Sequence, residues 1–168
     1  MNMESLFTIK SKITKEEYIR FNREVLKKEF HYSRNITIIN IILGLIIVGI
    51  LFSGDSTSYP PAAIIFTFLI YYNWKATKGM DRKAAKAFDL NKVNKDLETQ
   101  ICFFNDHYET TNEKGSSNIP YSNLYKIIET DTNLYLMYCK NQGVNIVKSN
   151  CSSDLIEFIH SIKSEYKL

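Results

Sequence analysis

The sequence predicts an α+β membrane protein in which a transmembrane pair of helices precedes an antiparallel β region closed by a helix. Residues 35–54 and 56–74 carry no charged side chain, which is typical of membrane-spanning helices. From residue 97 onwards, apolar residues recur at every second position in short segments separated by turn residues, as they do in antiparallel strands. After residue 152 the apolar spacing becomes helical.

Each uncharged run is long enough to cross a membrane once. The runs hold 20 and 19 residues, and at a rise of 1.5 Å per residue each spans a hydrocarbon core of roughly 30 Å. Asp55 lies between them, and Gly54 and Pro60 beside it indicate a tight turn. We therefore predict a transmembrane helical hairpin over residues 35–74.

Basic residues flank both runs and are missing from the segment between them. Positively charged residues near membrane spans stay on the cytoplasmic side, so both termini are expected in the cytoplasm and residues 53–59 outside. Tyr71, Tyr72 and Trp74 lie where aromatic residues mark an interface. The flanking cations are Arg20, Arg23, Lys27, Lys28 and Arg34 before the first run and Lys75, Lys78, Arg82, Lys83 and Lys86 after the second.

The alternative to a membrane hairpin is a soluble protein that buries an apolar helical hairpin. A soluble helix of this length requires a polar face, and neither run has one. Within the hairpin, small or polar residues one turn apart predict where two helices approach each other. The predicted packing positions are Asn40 with Gly44 and Ala63 with Thr67.

The rest of the chain divides into three segments. Residues 1–34 predict a strand at 5–12 and a helix that begins at Thr14, where Glu17 completes a capping box. Residues 75–96 predict a basic helix next to the membrane. Residues 97–168 predict an antiparallel meander or partial barrel, which the N-terminal strand can extend, closed by a helix from Ser152 or Ser153. Its six strands are predicted at 97–104, 107–111, 116–121, 124–130, 133–139 and 143–148.

No motif of an enzyme, a metal site or a cofactor site occurs in the sequence. The three histidines are far apart, whereas metal ligands recur at short, set spacings. A hairpin turn explains the one local acid–base group, at residues 106–109. Cys102, Cys139 and Cys151 form no CxxC pair, which favours reduced thiols in the cytosol. The net charge of +3 is too small to indicate a nucleic-acid partner.

Four motifs in the C-terminal half carry a family resemblance: FFNDHYE at 103–109, NIPYSNLYKIIET at 118–130, LYLMY at 134–138 and VNIVK at 144–148. They resemble the YcxB-like protein family, small bacterial membrane proteins with a two-helix insertion and a C-terminal pleckstrin-homology-like (PH-like) region. The family usually has Trp where Tyr121 stands and Pro where Val147 stands. The resemblance implies a PH-like domain over residues 97–168, a bacterial cell membrane, and core positions for Tyr121 and Ile127. It transfers no catalytic residue.

We expect a membrane-anchored, multi-pass, non-enzymatic protein that presents its PH-like domain in the cytoplasm for binding or regulation. The expected partners are the lipid bilayer and a membrane or cytosolic protein, without a cofactor or nucleic acid. The alternative is an anionic-lipid sensor, in which each cation of the juxtamembrane helix contributes about 1 kcal/mol. Membrane orientation alone predicts the same cations. The residues of this lipid-binding hypothesis are Lys75, Lys78, Arg82, Lys83 and Lys86.

Overall fold

The computed structural model describes residues 4–53, 59–90 and 97–168, which form four helices and seven strands in an α+β arrangement. Two units are distinguished: residues 1–21 with 88–168, and residues 22–87. The N-terminal elements are β1 (Phe7–Lys12), α1 (Lys15–Lys28), α2 (Tyr32–Phe52) and α3 (Tyr59–Leu90). The C-terminal elements are β2 (Glu98–Phe103), β3 (His107–Asn112), β4 (Gly115–Pro120), β5 (Lys126–Glu129), β6 (Asn133–Cys139), β7 (Gln142–Val147) and α4 (Ser153–Glu165).

Two antiparallel sheets form the first unit, one with the order β1-β2-β3-β4 and one with the order β5-β6-β7. β1 pairs with β2 although α1, α2 and α3 separate them in the chain. Phe7 lies opposite Phe103, and Lys12 lies opposite Glu98. The N-terminal strand therefore extends the sheet formed by β2, β3 and β4, an arrangement that the sequence analysis allowed.

The six predicted C-terminal strands and the closing helix are confirmed. Each strand of the meander pairs antiparallel with the next within its sheet. The closing helix begins at Ser153 because Ser152 caps it: the Ser152 Oγ accepts a hydrogen bond from the Leu155 N–H at 3.3 Å. Such a cap satisfies one of the free N–H groups of the first turn.

The cap of α1 forms by one arm only. The Thr14 Oγ1 accepts a hydrogen bond from the Glu17 N–H at 3.3 Å, as predicted. The second arm of the predicted capping box is replaced, because the Thr14 N–H donates to the Lys12 carbonyl at 3.1 Å. The Glu17 carboxylate is thereby available for contacts far away in sequence.

The second apolar run and the basic segment after it are one helix, α3, and not the two helices predicted. Residues 54–58, which include the predicted turn at Gly54 and Asp55, and residues 91–96 lie outside the described residues. Pro60 and Pro61 stand in the first turn of α3, where a missing N–H donor costs nothing because it has no partner within the helix. α1 and α2 are separate helices, since His31 between them adopts a left-handed conformation with φ 48° and ψ 33°.

The core of the first unit draws on both sheets and on α4. On β2 buried positions alternate with more exposed ones, so Ile101 and Phe103 are buried. On β6 the first five residues, 133–137, are all buried, including Leu134 and Leu136. Full burial of such a side chain contributes about 1.5–3 kcal/mol. The rest of the core cluster comprises Ile9, Tyr108, Tyr121, Leu124, Ile127, Ile146, Leu155, Ile159 and Ile162. Tyr121 and Ile127 are thus buried, as the resemblance implied.

Two core tyrosines differ in how their hydroxyl groups are satisfied. The rings of Tyr108 and Tyr121 stack at 6.3 Å between centroids. The Tyr121 hydroxyl donates to the Phe104 carbonyl at 2.8 Å, whereas the buried Tyr108 hydroxyl has no hydrogen-bond partner among the described residues. Burial raises the pKa of both phenols above the ordinary value, so both are neutral at pH 7.

Tyr108→Phe and Tyr121→Phe form a matched pair that should affect stability differently. Tyr121→Phe leaves the Phe104 carbonyl unpaired and is expected to lower the free energy of unfolding by about 1 kcal/mol. Tyr108→Phe removes an unsatisfied hydroxyl and should leave that free energy unchanged or raise it by up to about 1 kcal/mol. Guanidinium denaturation followed by near-UV circular dichroism measures both. Equal losses would contradict the difference in pairing.

Candidate functional site

α2 and the first half of α3, both in the second unit, turn large apolar side chains outward. No residue in the most apolar window of α2 is buried within the chain. The exposed fraction is 66% for Leu45 and 70% for Ile64. Among the described helices, α2 is long and apolar enough throughout to cross a membrane. In α3 the prolines, tyrosines and Asn73 dilute the apolar run, which ends at Lys75.

A pair of amide side chains joins the two helices. The Asn40 Nδ2 donates to the Asn73 Oδ1 at 2.9 Å, and the Asn73 Nδ2 donates to the Asn40 Oδ1 at 3.0 Å. The Asn73 Nδ2 also donates to the Leu69 carbonyl at 2.8 Å. The polar groups of the pair therefore meet between the helices while the large apolar groups face outward, the reverse of the arrangement in a water-soluble helical hairpin.

The other residues that were predicted to pack between the two helices are Ala63, Thr67 and Gly44, and none of the three is buried. Ala63 and Thr67 are exposed on α3, and the Thr67 Oγ1 donates to the Ala63 carbonyl at 2.9 Å within the helix. The small side chain that is buried there is Ala62, one residue and about 100° around the helix from the predicted position. At Gly44, apart from its chain neighbours and the backbone of its own helix, no described atom lies within 4 Å of where a Cβ would stand.

The five cations of the lipid-binding hypothesis are all exposed on α3. Lys75 places its ammonium 5.5 Å from the centre of the Tyr71 ring, and Lys78 places its ammonium 5.7 Å from the Trp74 ring. Both distances allow cation–π attraction. Four of the five cations border a groove of about 650 Å³, which we call the α3 groove; Lys86 does not. The groove is lined by Tyr71, Trp74, Lys75, Lys78, Gly79, Arg82 and Lys83.

The acidic residues of α3 are paired with cations of α1. Asp81 accepts hydrogen bonds from the Arg23 guanidinium at 2.6 and 3.3 Å, and Asp89 lies 2.7 Å from the Lys15 ammonium. Within the part of the chain that the structure describes, no carboxylate forms an ion pair with the five cations above. Among the described residues, the positive charge of the α3 groove is therefore not compensated by an ion pair.

In the first unit, a buried polar cluster fixes the start of α1 against β6 and β7. Asn133, which is fully buried, donates from its Nδ2 to the Glu17 Oε2 at 2.6 Å and to the Asn145 Oδ1 at 2.8 Å. The Asn145 Nδ2 donates to the same Glu17 oxygen at 3.1 Å, and Arg20 bonds the Asn133 Oδ1 at 3.0 Å. Such mutual satisfaction stabilises a buried polar group. Apart from Glu17 of the predicted capping box, no local pattern in the sequence indicates this cluster.

One continuous stretch of the chain holds β3 to β7, the buried Tyr121 and the start of α4. Residues 103–158 match the family model for YcxB-like protein. The match covers a third of the chain, including β3–β7, and confirms the resemblance carried by the motifs at 103–148. No curated protein and no solved structure matches the chain significantly.

Within the YcxB-like region, the predicted turn at residues 105–106 is confirmed. The Phe104 N–H donates to the His107 carbonyl at 2.9 Å, which closes the β2–β3 hairpin. The His107 ring stacks on Phe104 at 4.6 Å, and its Nδ1 lies 2.6 Å from the Asp106 Oδ1. This hydrogen bond lowers the pKa of Asp106. These contacts give the His107 side chain a structural role beside the turn. Among the described residues, no group of three or more metal-binding side chains occurs.

Glu129 of the YcxB-like region joins β5 to the turn that follows β7 and to α4. Its Oε1 lies 2.7 Å from the Lys148 ammonium, and both its carboxylate oxygens lie 3.1 Å from the His160 Nε2. The hydrogen bond from Lys148 is the main reason that the pKa of Glu129 is lowered; partial burial opposes it, and the bond from His160 adds to it.

Glu129→Gln should change how the stability of the protein depends on pH. Since the folded-state pKa lies below the unfolded-state value, the contribution of Glu129 is complete above the ordinary glutamate pKa of about 4.3 and is lost as pH falls through the folded-state pKa. We expect Glu129→Gln to lower the free energy of unfolding at pH 7 by about 0.5–1 kcal/mol and to flatten its decrease in acid. Denaturation from pH 3 to 7 checks this, with the exposed Glu157→Gln as control. Identical curves for both variants would contradict it.

Asn40→Leu and Asn73→Leu should show strong energetic coupling. Either single change leaves one amide without its partner and is expected to cost about 1 kcal/mol, whereas the double variant should cost little more than either single one. A double-mutant cycle of denaturation in mild detergent measures the coupling. Thr67→Val, which alters an exposed hydroxyl on the same helix, is the control. Additive effects of the two asparagines would contradict the pairing.

Proposed function

We propose that the protein is a membrane-anchored, non-enzymatic binding or regulatory protein of a bacterial cell. In this proposal α2 and the first half of α3 cross the membrane, both ends of the chain stay in the cytoplasm, and the first unit is a PH-like domain presented there. The observation that carries the proposal is the outward-facing apolar surface of the helix pair, combined with the amide pair between the helices.

The free energy of exposure supports a lipid environment for this helix pair. Leaving a large apolar side chain in water in place of burying it costs about 1.5–3 kcal/mol. Ten such side chains would cost about 15–30 kcal/mol, more than the stability of a typical domain, about 5–15 kcal/mol. The alternative of a soluble, buried hairpin is less favoured, because the chain itself covers none of the apolar window of α2.

The pairing of β1 with β2 supports two crossings. Both strands lie in one sheet, so residues 12 and 98 are on the same side of any membrane. A chain that leaves β1 and crosses along α2 must cross back before it reaches β2. The apolar part of α3, residues 59–74, supplies the return: its 16 residues cover about 24 Å, a short span that local bilayer thinning accommodates.

A binding role is favoured over catalysis by what the first unit exposes. β4 pairs with β3 alone and β5 with β6 alone among the described strands, and most of β4 is exposed. A partner segment can add to such an edge by main-chain hydrogen bonds. The two antiparallel sheets and the closing helix agree with the PH-like domain that the family resemblance implies.

Cysteine accessibility tests the proposed topology. The native Cys139 is exposed on β6, and Ser53→Cys adds a thiol at the end of α2. In spheroplasts, a membrane-impermeant maleimide should label Ser53→Cys directly and Cys139 only after permeabilisation. Cys139→Ser is the control for the native signal. Labelling of Cys139 in intact spheroplasts, or release of the chain from membranes by alkaline carbonate, would overturn the proposal.

A further inference from the structure

We propose that the α3 groove binds the phosphate headgroup of an anionic phospholipid in the cytoplasmic leaflet. This inference rests on the membrane-embedded helix pair proposed above and assigns a ligand to its inner end. The headgroup phosphate would lie among Lys75, Lys78 and Arg82, and the glycerol and upper acyl chains would lie along Tyr71 and Trp74.

The sequence of α3 places aromatic and cationic residues in the order that a lipid requires. Tyr71 and Trp74 end the apolar run, where aromatic side chains occupy the membrane interface. Lys75, Lys78 and Arg82 follow at spacings of three and four residues, which puts them on one face of the helix. The guanidinium of Arg82 can contact two phosphate oxygens at once, and the lysines supply point charges.

Membrane orientation alone requires cations near the span but does not require this arrangement. The two acidic residues of α3 are held by Arg23 and Lys15, so the charge of the groove is left for an external anion. Gly79 lines the groove, and apart from its chain neighbours and the backbone of its own helix, no described atom lies within 4 Å of where its Cβ would stand. The groove is therefore open as well as positively charged.

The aromatic wall favours a lipid over a soluble phosphate. The exposed fraction of Trp74 is 56% and that of Tyr71 is 51%, and both rings lie beside the ammonium groups of Lys78 and Lys75. A soluble phosphate would use the cations and leave the rings in contact with solvent. A phospholipid uses both, since its phosphate and its apolar part occupy adjacent depths of the bilayer.

Trp74, the one tryptophan of the sequence, reports directly on which lipid lies in the groove. The full-length protein is reconstituted into two kinds of phosphatidylcholine bilayer. One contains phosphatidylcholine with brominated, quenching chains, and the other contains the same mole fraction of phosphatidylglycerol with brominated chains. The ratio of quenching by the two lipids gives the selectivity at Trp74. We expect a preference of about threefold or more for phosphatidylglycerol.

Two variants test the groove, and one matched variant is the control. Lys78→Gln with Arg82→Gln removes two charges inside the groove and should bring the quenching ratio close to one. Gly79→Leu keeps every charge but fills the groove, and it should reduce the preference to a similar extent. Lys27→Gln with Lys86→Gln removes two charges outside the groove and should keep the preference of the wild type. Because the ratio compares two lipids on one protein, a changed environment of Trp74 does not imitate a loss of selectivity.

The outcomes separate the failure of this inference from that of the proposed function. If neither brominated lipid quenches Trp74, the helix pair is not in the bilayer and the proposed function fails. If both quench equally in the wild type, the helix pair is embedded and only the headgroup site is overturned. Loss of selectivity in the control variant would show general charge attraction and would also overturn the site. The phospholipid site would also be overturned if inorganic phosphate, added to the protein in phosphatidylcholine bilayers, shifted the emission of Trp74 as much as phosphatidylglycerol does. Such a result would identify a soluble ligand.

Discussion

The antiparallel pairing of β1 with β2 is the constraint on which the architecture depends. Paired strands lie about 4.8 Å apart, so the helical excursion between residues 12 and 98 must begin and end at neighbouring points of one sheet. An excursion of this kind has to turn back on itself. Two helices, α2 and α3, supply the outgoing and the returning arm, and the Asn40–Asn73 amide pair joins them.

α3 combines two chemistries that would normally belong to separate elements. Its first half is apolar and its second half basic, and the change takes place between Trp74 and Lys75 within one uninterrupted helix. A continuous helix keeps its side chains in a fixed angular relation. The rings of Tyr71 and Trp74 and the ammonium groups of Lys75 and Lys78 can therefore border one groove, which a flexible linker at residue 75 would not ensure.

Local patterns were sufficient to predict the strands, the C-terminal helix and the Ser152 cap, because period-two alternation and capping depend on residues close in sequence. Contacts distant in sequence were not predictable in the same way. The β1–β2 register, the partner of Asn40 and the bonds of Glu17 to Asn133 all join distant residues. The burial of Ala62 in place of Ala63 shows a further limit, since a uniformly apolar run does not reveal which face of the helix meets its neighbour.

The pairing of two strands that are far apart in the sequence also sets an order of events during synthesis. β1 leaves the ribosome first, but its partner β2 is complete only when residue 103 has been made, after all three N-terminal helices. A long loop must close before this pairing forms, which slows folding. β1 therefore remains unpaired while the three helices emerge, and the sheet closes only after they have been made. A fragment limited to the YcxB-like match at 103–158 would lack both β1 and nearly all of β2, so the edge of β3 would be left without its neighbour.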